Sequence, residues 1–291
     1  QMSIYSYNIN LVFYIMNPKI TCITNIYNEE YLLPFWLNHH KSIFDNIIIL
    51  DHQSNDKSLE ICKNIVPNCK IIKHPHNKFD IKEHDILLMK LEREISGIKI
   101  ILNTTEFLFT TKPIRHFFKS SKKSLQILCY SPYSLNEYYP KNNYDLLLNL
   151  KNEDVKFHHD REGGRYIHNY PDGKYVIGRH MTYNRFDKTD EMFIIWFGYY
   201  PMNNMLLNRK LQIKKKIPES DRNPKPGFPN GFGWQHFFEK QTMININKNK
   251  GTNGNSLKKF NISIFTLLLK YILDLNCNPP QEKTCLSNFY K

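Results

Sequence analysis

The chain has 291 residues, 41% of them hydrophobic, with 40 Lys and Arg against 27 Asp and Glu, a formal charge of +13 and a pI of about 9.3. That is enough apolar material for one large domain or two small ones, so a chain too polar to form a core is excluded. The six cysteines include no CxxC pair, which argues against a disulfide framework and a zinc site and for a reducing, cytoplasmic compartment.

The basic balance has two readings. It favours an anionic partner such as a nucleotide, nucleic acid or membrane surface. It also fits Lys-for-Arg drift in an AT-rich genome, which would account for the frequent Lys, Ile and Asn as well. Residues 2–16, "MSIYSYNINLVFYIM", lack a charged start and a small-residue cleavage site, and they are too short and too polar to span a bilayer. We take 1–18 as an N-terminal extension, with Met16 as a candidate alternative start. No other segment reaches membrane-spanning length, so the expectation is a soluble protein.

From Lys19 the pattern alternates. "KITCITNI" reads as a β-branched strand. Asn28 can cap the helix that follows, with Glu29 and Glu30 in its first turn and Leu32, Leu33, Trp36 and Leu37 facing inward. "NIIIL" is an apolar run of the kind a covered parallel strand shows. Residues 56–66 form the next helix, with Leu59, Cys62, Ile65 and Val66 inward. "CKIIKH" is a third strand. Residues 81–96 are a helix carrying Ile86, Leu87, Met89 and Leu91, and "GIKIIL" is a fourth strand. This βαβαβαβ order predicts an α/β fold: a mostly parallel open sheet with helices on both faces.

Ligands of such sheets bind at the carboxyl ends of the strands. Three polar tips stand there: Tyr27-Asn28-Glu29, Asp51 to Asp56, and "NTTEF", Asn103 to Phe107. All three are expected to line one crevice.

The second half is less periodic. Residues 131–176 are rich in Tyr, Asn, Asp and Pro and read as a variable insertion. "MFIIWFGYY", 192–200, is an aromatic strand, and "MNNMLLNRKLQIKKKIP" an amphipathic helix ending at Pro218. The Gly- and Pro-rich loop 222–233 is either a static surface loop or one that closes over a ligand. Residues 247–259 read as a linker. A last helix over 261–275 aligns Ile264, Leu267, Leu268, Tyr271 and Leu275 for core packing or, alternatively, a membrane surface.

A strand ending in "YNEE", a helix, and an apolar strand ending in "LDHQSNDKS" resemble family 2-type glycosyltransferases with the GT-A fold. Those enzymes show a Tyr-Asn-Glu turn and an Asp-x-x-Ser-x-Asp turn, here Tyr27-Asn28-Glu29 and Asp51-x-x-Ser54-x-Asp56. The later stretch "NRKLQIKKKIPESD…GFGWQH" is similar to a group of uncharacterised glycosyltransferase-like proteins. The resemblance covers roughly 19–240. It implies a GT-A-like domain over 19–246, with a nucleotide-binding half (19–110) and an acceptor-side half (111–246), followed by a linker and C-terminal helix (247–291).

The activity it implies is transfer of a sugar from a nucleotide-diphospho-sugar, a UDP-sugar favoured, to a glycan, glycoprotein or other hydroxyl acceptor. Thr24, Tyr27, Asn28, Glu29, Asp51, Asn103 and Thr105 would contact the donor, with Asp51 accepting from the base or the ribose. For Asp51 and Asp56 the alternative is helix capping, and Asp56 suits that role better. Such enzymes carry Asp-x-Asp after the fourth strand to hold Mn2+ or Mg2+. Here Asn103-Thr104-Thr105 stands instead, followed by Glu106. Glu106 with His180 or His236 could hold the metal. Otherwise basic residues neutralise the diphosphate without metal, or catalysis is lost.

Arg161, Arg165 and Arg179 read as solvated surface or as a phosphate clamp. Lys214, Lys215 and Lys216 read as surface, one of them a possible phosphate contact. An inverting reaction needs a base, for which Asp221 and then His236 are the candidates, ahead of Asp190 and Glu191. Trp234 and Trp196 could stack on an acceptor sugar, with core packing the default for Trp196. The competing functions are an inactive nucleotide- or carbohydrate-binding protein of the same fold and a nucleic-acid-binding protein; no nucleic-acid-binding signature supports the last.

Overall fold

The computed structural model describes residues 18–118, 123–158, 164–223 and 240–277. The chain divides into two compact units. The first comprises 1–129, 161–194 and 215–234, and the second 130–160, 195–214 and 235–291.

The first unit is the expected α/β layer. Strands β1 (Ile20–Ile26), β2 (Asn46–Asp51), β3 (Lys70–Lys73) and β4 (Ile98–Ile101) are parallel and lie in the order β3-β2-β1-β4. Beyond β4 the sheet turns antiparallel, through β8 (Arg165–His168) and residues 124–127 of β6 (Ser124–Ser134). β5 (Glu106–Thr110) pairs with β9 (Asp187–Trp196). The aromatic strand therefore begins five residues earlier than the apolar run suggests, and it takes in Asp190 and Glu191. Glu191 Oε2 meets Lys112 Nζ at 2.6 Å, an edge pairing rather than a turn.

The helices between the strands are α1 (Leu33–His40), α2 (Ser58–Ile65) and α3 (Ile81–Arg93). Leu32, Leu33, Trp36 and Leu37 are all buried, as their helical spacing requires. Of the four apolar residues named on α3, Leu91 is buried, Leu87 and Met89 are half-buried and Ile86 is 47% exposed. The buried face of α3 runs through His84, Asp85, Leu88, Leu91 and Glu92. Three of these are polar, so a search for apolar residues sets the face one position off.

Helix α1 also fixes β5. Trp36 Nε1 donates to the Glu106 carbonyl at 2.9 Å, and His39 Nε2 donates to the Leu108 carbonyl at 2.7 Å. His40 donates from Nδ1 to the Trp36 carbonyl (3.0 Å) and accepts from the Leu108 amide at Nε2 (3.1 Å). That pattern requires a neutral ring. Burial pulls His39 down to about 4 and His40 well below its ordinary value.

In the second unit, residues 131–134 of β6 pair with β7 (Val155–His158), which pairs with β10 (Asn255–Ser256). Helix α4 (Asn143–Asn149) is followed by α5 (Asn204–Gln212), α6 (Lys240–Asn253), α7 (Leu257–Phe260) and α8 (Ile262–Cys277). Residues 247–253 thus continue a helix where the Asn and Gly pattern suggests a linker. The reason is Asn247: its Oδ1 accepts from the Ser134 amide (3.1 Å) and its Nδ2 donates to the Tyr199 carbonyl (2.7 Å). Tyr133, Trp196, Tyr199, Leu207 and Met243 form the core here, so Trp196 is a packing residue. On α8, Ile264, Leu268 and Ile272 are buried four residues apart, which is core packing.

Cys22, Cys62, Cys69 and Cys129 are free thiols, and among the described residues no helix is long and apolar enough to cross a membrane.

Candidate functional site

Strand order reverses at β1: β2 and β3 lie on one side of it and β4 on the other. A crevice opens at such a switch point in open α/β sheets. In the β1–β2 ladder Ile26 pairs with Asp51, so Tyr27 and His52 leave the sheet side by side. The two tips are then stitched together. The Asn28 amide donates to Ser54 Oγ at 3.0 Å, Asn28 Nδ2 donates to Asn55 Oδ1 at 2.7 Å, and the Asn55 amide returns a bond to Asn28 Oδ1 at 2.8 Å. The Glu29 amide donates to Ser58 Oγ (2.8 Å) and the Glu30 amide to Asp56 Oδ2 (3.1 Å).

Asn28 therefore does not cap α1, which starts at Leu33 with no side-chain cap and a proline in its first turn. Asn28 (φ 52°) and Gln53 (φ 61°) both hold left-handed backbone, one in each tip. Non-glycine residues keep that conformation only where neighbours fix it, and such residues cluster at ligand sites.

Asp56 acts within the turn, with Oδ1 accepting from the Ser58 amide at 2.9 Å. Asp51 is different. Its Oδ1 accepts from the Ser54 amide at 2.9 Å, while its Oδ2 has no hydrogen bond among the described residues. Thr24 Oγ1 and Asn25 Oδ1 are buried and likewise without a partner among the described residues. Thr24 and Asn25 are consecutive strand residues, so their side chains lie on opposite faces of β1, and of the two only Thr24 shares a face with Asp51. A buried polar atom of this kind is costly unless paired. Glu29 is buried, and its carbonyl accepts from the Leu33 amide at 2.9 Å.

Lys216 supplies a wall. Its Nζ lies 4.6 Å above the Tyr27 ring and donates to Asn77 Oδ1 at 2.7 Å. Burial lowers its pKa, with Asp51 opposing. It is a buried residue rather than a surface one, because the Phe79 amide donates to its carbonyl at 2.7 Å and draws the segment in.

The third tip is built from ion pairs. Glu106, fully buried, receives Arg165 Nε at 3.1 and 3.0 Å and Nη2 at 2.8 Å. The Asn103 amide adds a bond to Oε2 at 2.8 Å, and Asn103 Nδ2 one to Oε1 at 3.3 Å. Arg179 pairs with Asp85 on α3 and donates from Nη2 to Asn103 Oδ1 at 3.0 Å. Arg165 Nη1 reaches the Gly178 carbonyl at 2.9 Å and His180 Nδ1 at 3.3 Å. Burial works against the Arg165 charge, but Glu106 beside it raises the pKa overall.

Arg165 and Arg179 are thus not surface residues. Each is buried because a carboxylate is buried against it. Gly164 makes the approach possible: a Cβ there would sit 2.1 Å from the Ile127 carbonyl oxygen. Thr105 is buried in the same tip.

A divalent cation wants several charged oxygens. Both Glu106 oxygens are occupied by guanidinium and amide donors, and Asn103 Oδ1 by Arg179, so these residues do not fit a metal. Among the described residues no group of three His, Cys, Asp or Glu side chains is placed to hold one. His236, Trp234, Arg161 and the loop from 224 to 239 lie outside the described residues. Asp221 is buried in a short 3-10 turn, Glu219–Arg222, with its amide donating to the Pro218 carbonyl at 3.1 Å.

The structure therefore joins Asn103, Glu106 and His180 in one bonded network and Tyr27, Asn28, Glu29 and Asp51 in another. Asp85 is the member that sequence reasoning missed; Arg165 and Lys216 were read as surface or as phosphate contacts, not as buried partners. Asp85 left a signal, as a polar residue three and six positions before Leu88 and Leu91 on a buried helix face. Lys216 left none.

No family model matches the chain, and no curated protein does. Among solved structures, glucosyl-3-phosphoglycerate synthase from Mycobacterium tuberculosis, in complex with Mn2+, uridine-diphosphate and glucosyl-3-phosphoglycerate, is similar at 13% identity and a TM-score of 0.29, over 38% of this chain and 44% of that one. S. aureus TarS 1-349 in complex with UDP is similar at 16% identity and 0.31, over 39% and 36%. A second structure of S. aureus TarS 1-349 is similar at 12% identity and 0.40, over 77% and 68%. The chain spans less than half the length of the first two. The architecture of this chain is mixed α/β, with a parallel β3-β2-β1-β4 core that continues into antiparallel strands.

Proposed function

We propose that the first unit is a GT-A-like glycosyltransferase domain that binds a nucleotide-diphospho-sugar, a UDP-sugar by preference, at the ends of β1, β2 and β4. The observation that carries this reading is the pair of stitched tips at the switch point, with an open Asp51 oxygen and, on the same face of the sheet, the buried Thr24 hydroxyl without a partner among the described residues. Asp51 accepts from the base or ribose, and Thr24, Tyr27, Asn28 and Glu29 shape the base pocket. Lys216 offers the diphosphate a cation from beside Tyr27.

Because Glu106 is committed to Arg165, this reading assigns no metal to it. Asn103 and Thr105 contribute hydrogen-bonding groups rather than charge. In the transfer, the bond from the sugar's anomeric carbon to the phosphate oxygen breaks and the nucleoside diphosphate leaves. A bond to the acceptor hydroxyl oxygen forms, and in an inverting reaction the hydroxyl proton passes to a base. Asp221 is the described candidate for that base, and His236 the other.

The saturation of Glu106 favours a second reading, a binding protein of the same fold without catalysis. One experiment separates the two: thermal shift with UDP-, GDP- and CDP-sugars, with and without Mn2+, alongside donor hydrolysis. A shift with UDP-sugar plus slow hydrolysis is expected. A shift without hydrolysis selects the binding protein, and no shift with any nucleotide defeats both.

A further inference from the structure

The mixed polar and apolar layer between the sheet and α3 ends in three clustered histidines. Along β2, Ile48, Leu50 and His52 point to one face, since successive strand residues alternate. Ile48 and Leu50 join Ile23, Leu88 and Leu91 in the core under α3. His52 continues that row toward the tips and meets His74, which follows β3, with ring centroids 4.1 Å apart. His74 in turn stacks on His84 of α3 at 5.5 Å, and Phe79 closes the group 4.7 Å from His84. All three imidazoles are at least 98% buried.

Among the described residues their hydrogen bonding is incomplete. His52 Nε2 donates to the Asn77 carbonyl at 3.0 Å, which leaves Nδ1 bare and unpartnered. His74 Nδ1 lies 3.1 Å from the His76 amide and 3.2 Å from the His76 carbonyl oxygen, and its Nε2 has no partner. Neither nitrogen of His84 has one. The rings of His74 and His84 are 23° from parallel, so their in-plane lone pairs do not converge on a common ion.

Among the described residues no carboxylate bonds to this group. Asp51 precedes His52 and so faces the other side of the sheet, Asp85 is bound to Arg179 and the Gly178 amide, and Asp80 caps α3 through the Glu83 amide. The charges that do bear on it are cationic: Lys216 on His52 and His74, and Arg179 on His84, with His76 beside His74.

The same segment secures the wall of the candidate donor site. The His74 amide donates to the Asp51 carbonyl at 2.7 Å, and Lys78 Nζ donates to the Lys215 carbonyl at 3.0 Å. The Phe79 amide holds the Lys216 carbonyl and Asn77 holds its Nζ, each at 2.7 Å. Freeing residues 74–80 therefore frees Lys216 from its place over Tyr27.

We propose that His52, His74 and His84 form a proton-operated latch: as neutral rings they hold residues 74–80 and the first turn of α3 against β2, and protonation releases that segment together with Lys216. The regulatory consequence, loss of nucleotide binding in acid, rests on the donor-site reading above. The sign follows from burial. Burial pulls His52 down to about 4, and lowers His74 and His84 as well. The closed form thus binds fewer protons than the open one, so closure is complete above the ordinary imidazole value near 6.5 and is lost as pH falls from there toward about 4.

Hydrogen exchange of the full chain, at about pH 7.5 and about pH 5 with intrinsic rates corrected, tests the latch without any ligand. Peptides covering 72–84 and 214–218 should lose about ten-fold protection in acid while β4 and β8 keep theirs. His84→Phe, which adds a ring beside Phe79 that takes no proton, should keep the acid protection. Unchanged protection in the wild type, or a loss spread evenly over the first unit, overturns the latch whether or not the variant folds. UDP affinity of wild type and His84→Phe at both pH values then separates the two readings. Acid opening with no UDP binding at either pH removes the donor site and leaves the latch.

Discussion

The tips of β1 and β2 and the tip after β4 emerge from one sheet yet are built on opposite principles. The first pair is joined without any guanidinium, by amide and hydroxyl bonds among Asn28, Ser54, Asn55 and Ser58 and by backbone amides donating to the Asp56 and Glu30 carboxylates. It leaves Asp51 with an oxygen to spare. The other tip saturates each carboxylate with a guanidinium: Glu106 with Arg165, Asp85 with Arg179, and Asn103 between them. Unspent hydrogen-bonding capacity marks a place that can receive a ligand, whereas a filled one marks a fixed wall. The carboxylate that resembles a metal ligand most closely in the sequence, Glu106, is the one least able to act as one.

The largest effect should come from breaking the wall. Glu106→Gln leaves Arg165 buried without its counter-charge and should cost about 3–5 kcal/mol in urea unfolding, whereas a double change to apolar residues of similar size should restore much of that. A double variant as unstable as the single one would mean the pair is not what makes Glu106 important.

Acid comes next. His39 and His52 are each pulled down to about 4, so the unfolded chain takes up their protons first as pH falls below 6.5. His39, fully enclosed by protein, should remove roughly 3 kcal/mol of stability between those values, at ~1.4 kcal/mol per pH unit, and His52 adds a smaller loss of the same sign. A melting temperature that is flat across the window would contradict the buried neutral state.

Asp51→Ala probes the open tip. Nucleotide affinity should fall by about 1–3 kcal/mol as the carboxylate's hydrogen bond is lost, with only about 1 kcal/mol lost in folding from the Ser54 amide. Calorimetric titration with UDP checks the first figure; unchanged affinity in a folded variant retires the assignment. Smallest is Asn28→Gly, which loses the amide pair with Asn55 but relieves the left-handed backbone, for a net change within about 1 kcal/mol. If it proves far more damaging, the stitching between the tips carries more than the bonds seen here.

Much of this was legible beforehand. The strand and helix order, the parallel core of the sheet, the buried faces of α1 and the adjacency of Tyr27 and Asp51 follow from period and turn chemistry, which are local properties. The 247–253 helix and the surface reading of Arg165, Arg179 and Lys216 failed for one reason: each involves a polar side chain that is buried because a distant partner meets it.

The amino-acid order by itself determined which segments become strands and helices, and which polar turns stand at the strand ends, because apolar periodicity and backbone preference act over a few residues. Only the tertiary structure decided which of those turns stays open. That outcome depends on whether a carboxylate finds a guanidinium 59 or 94 positions away, and such a pairing is fixed by the packing of the whole unit.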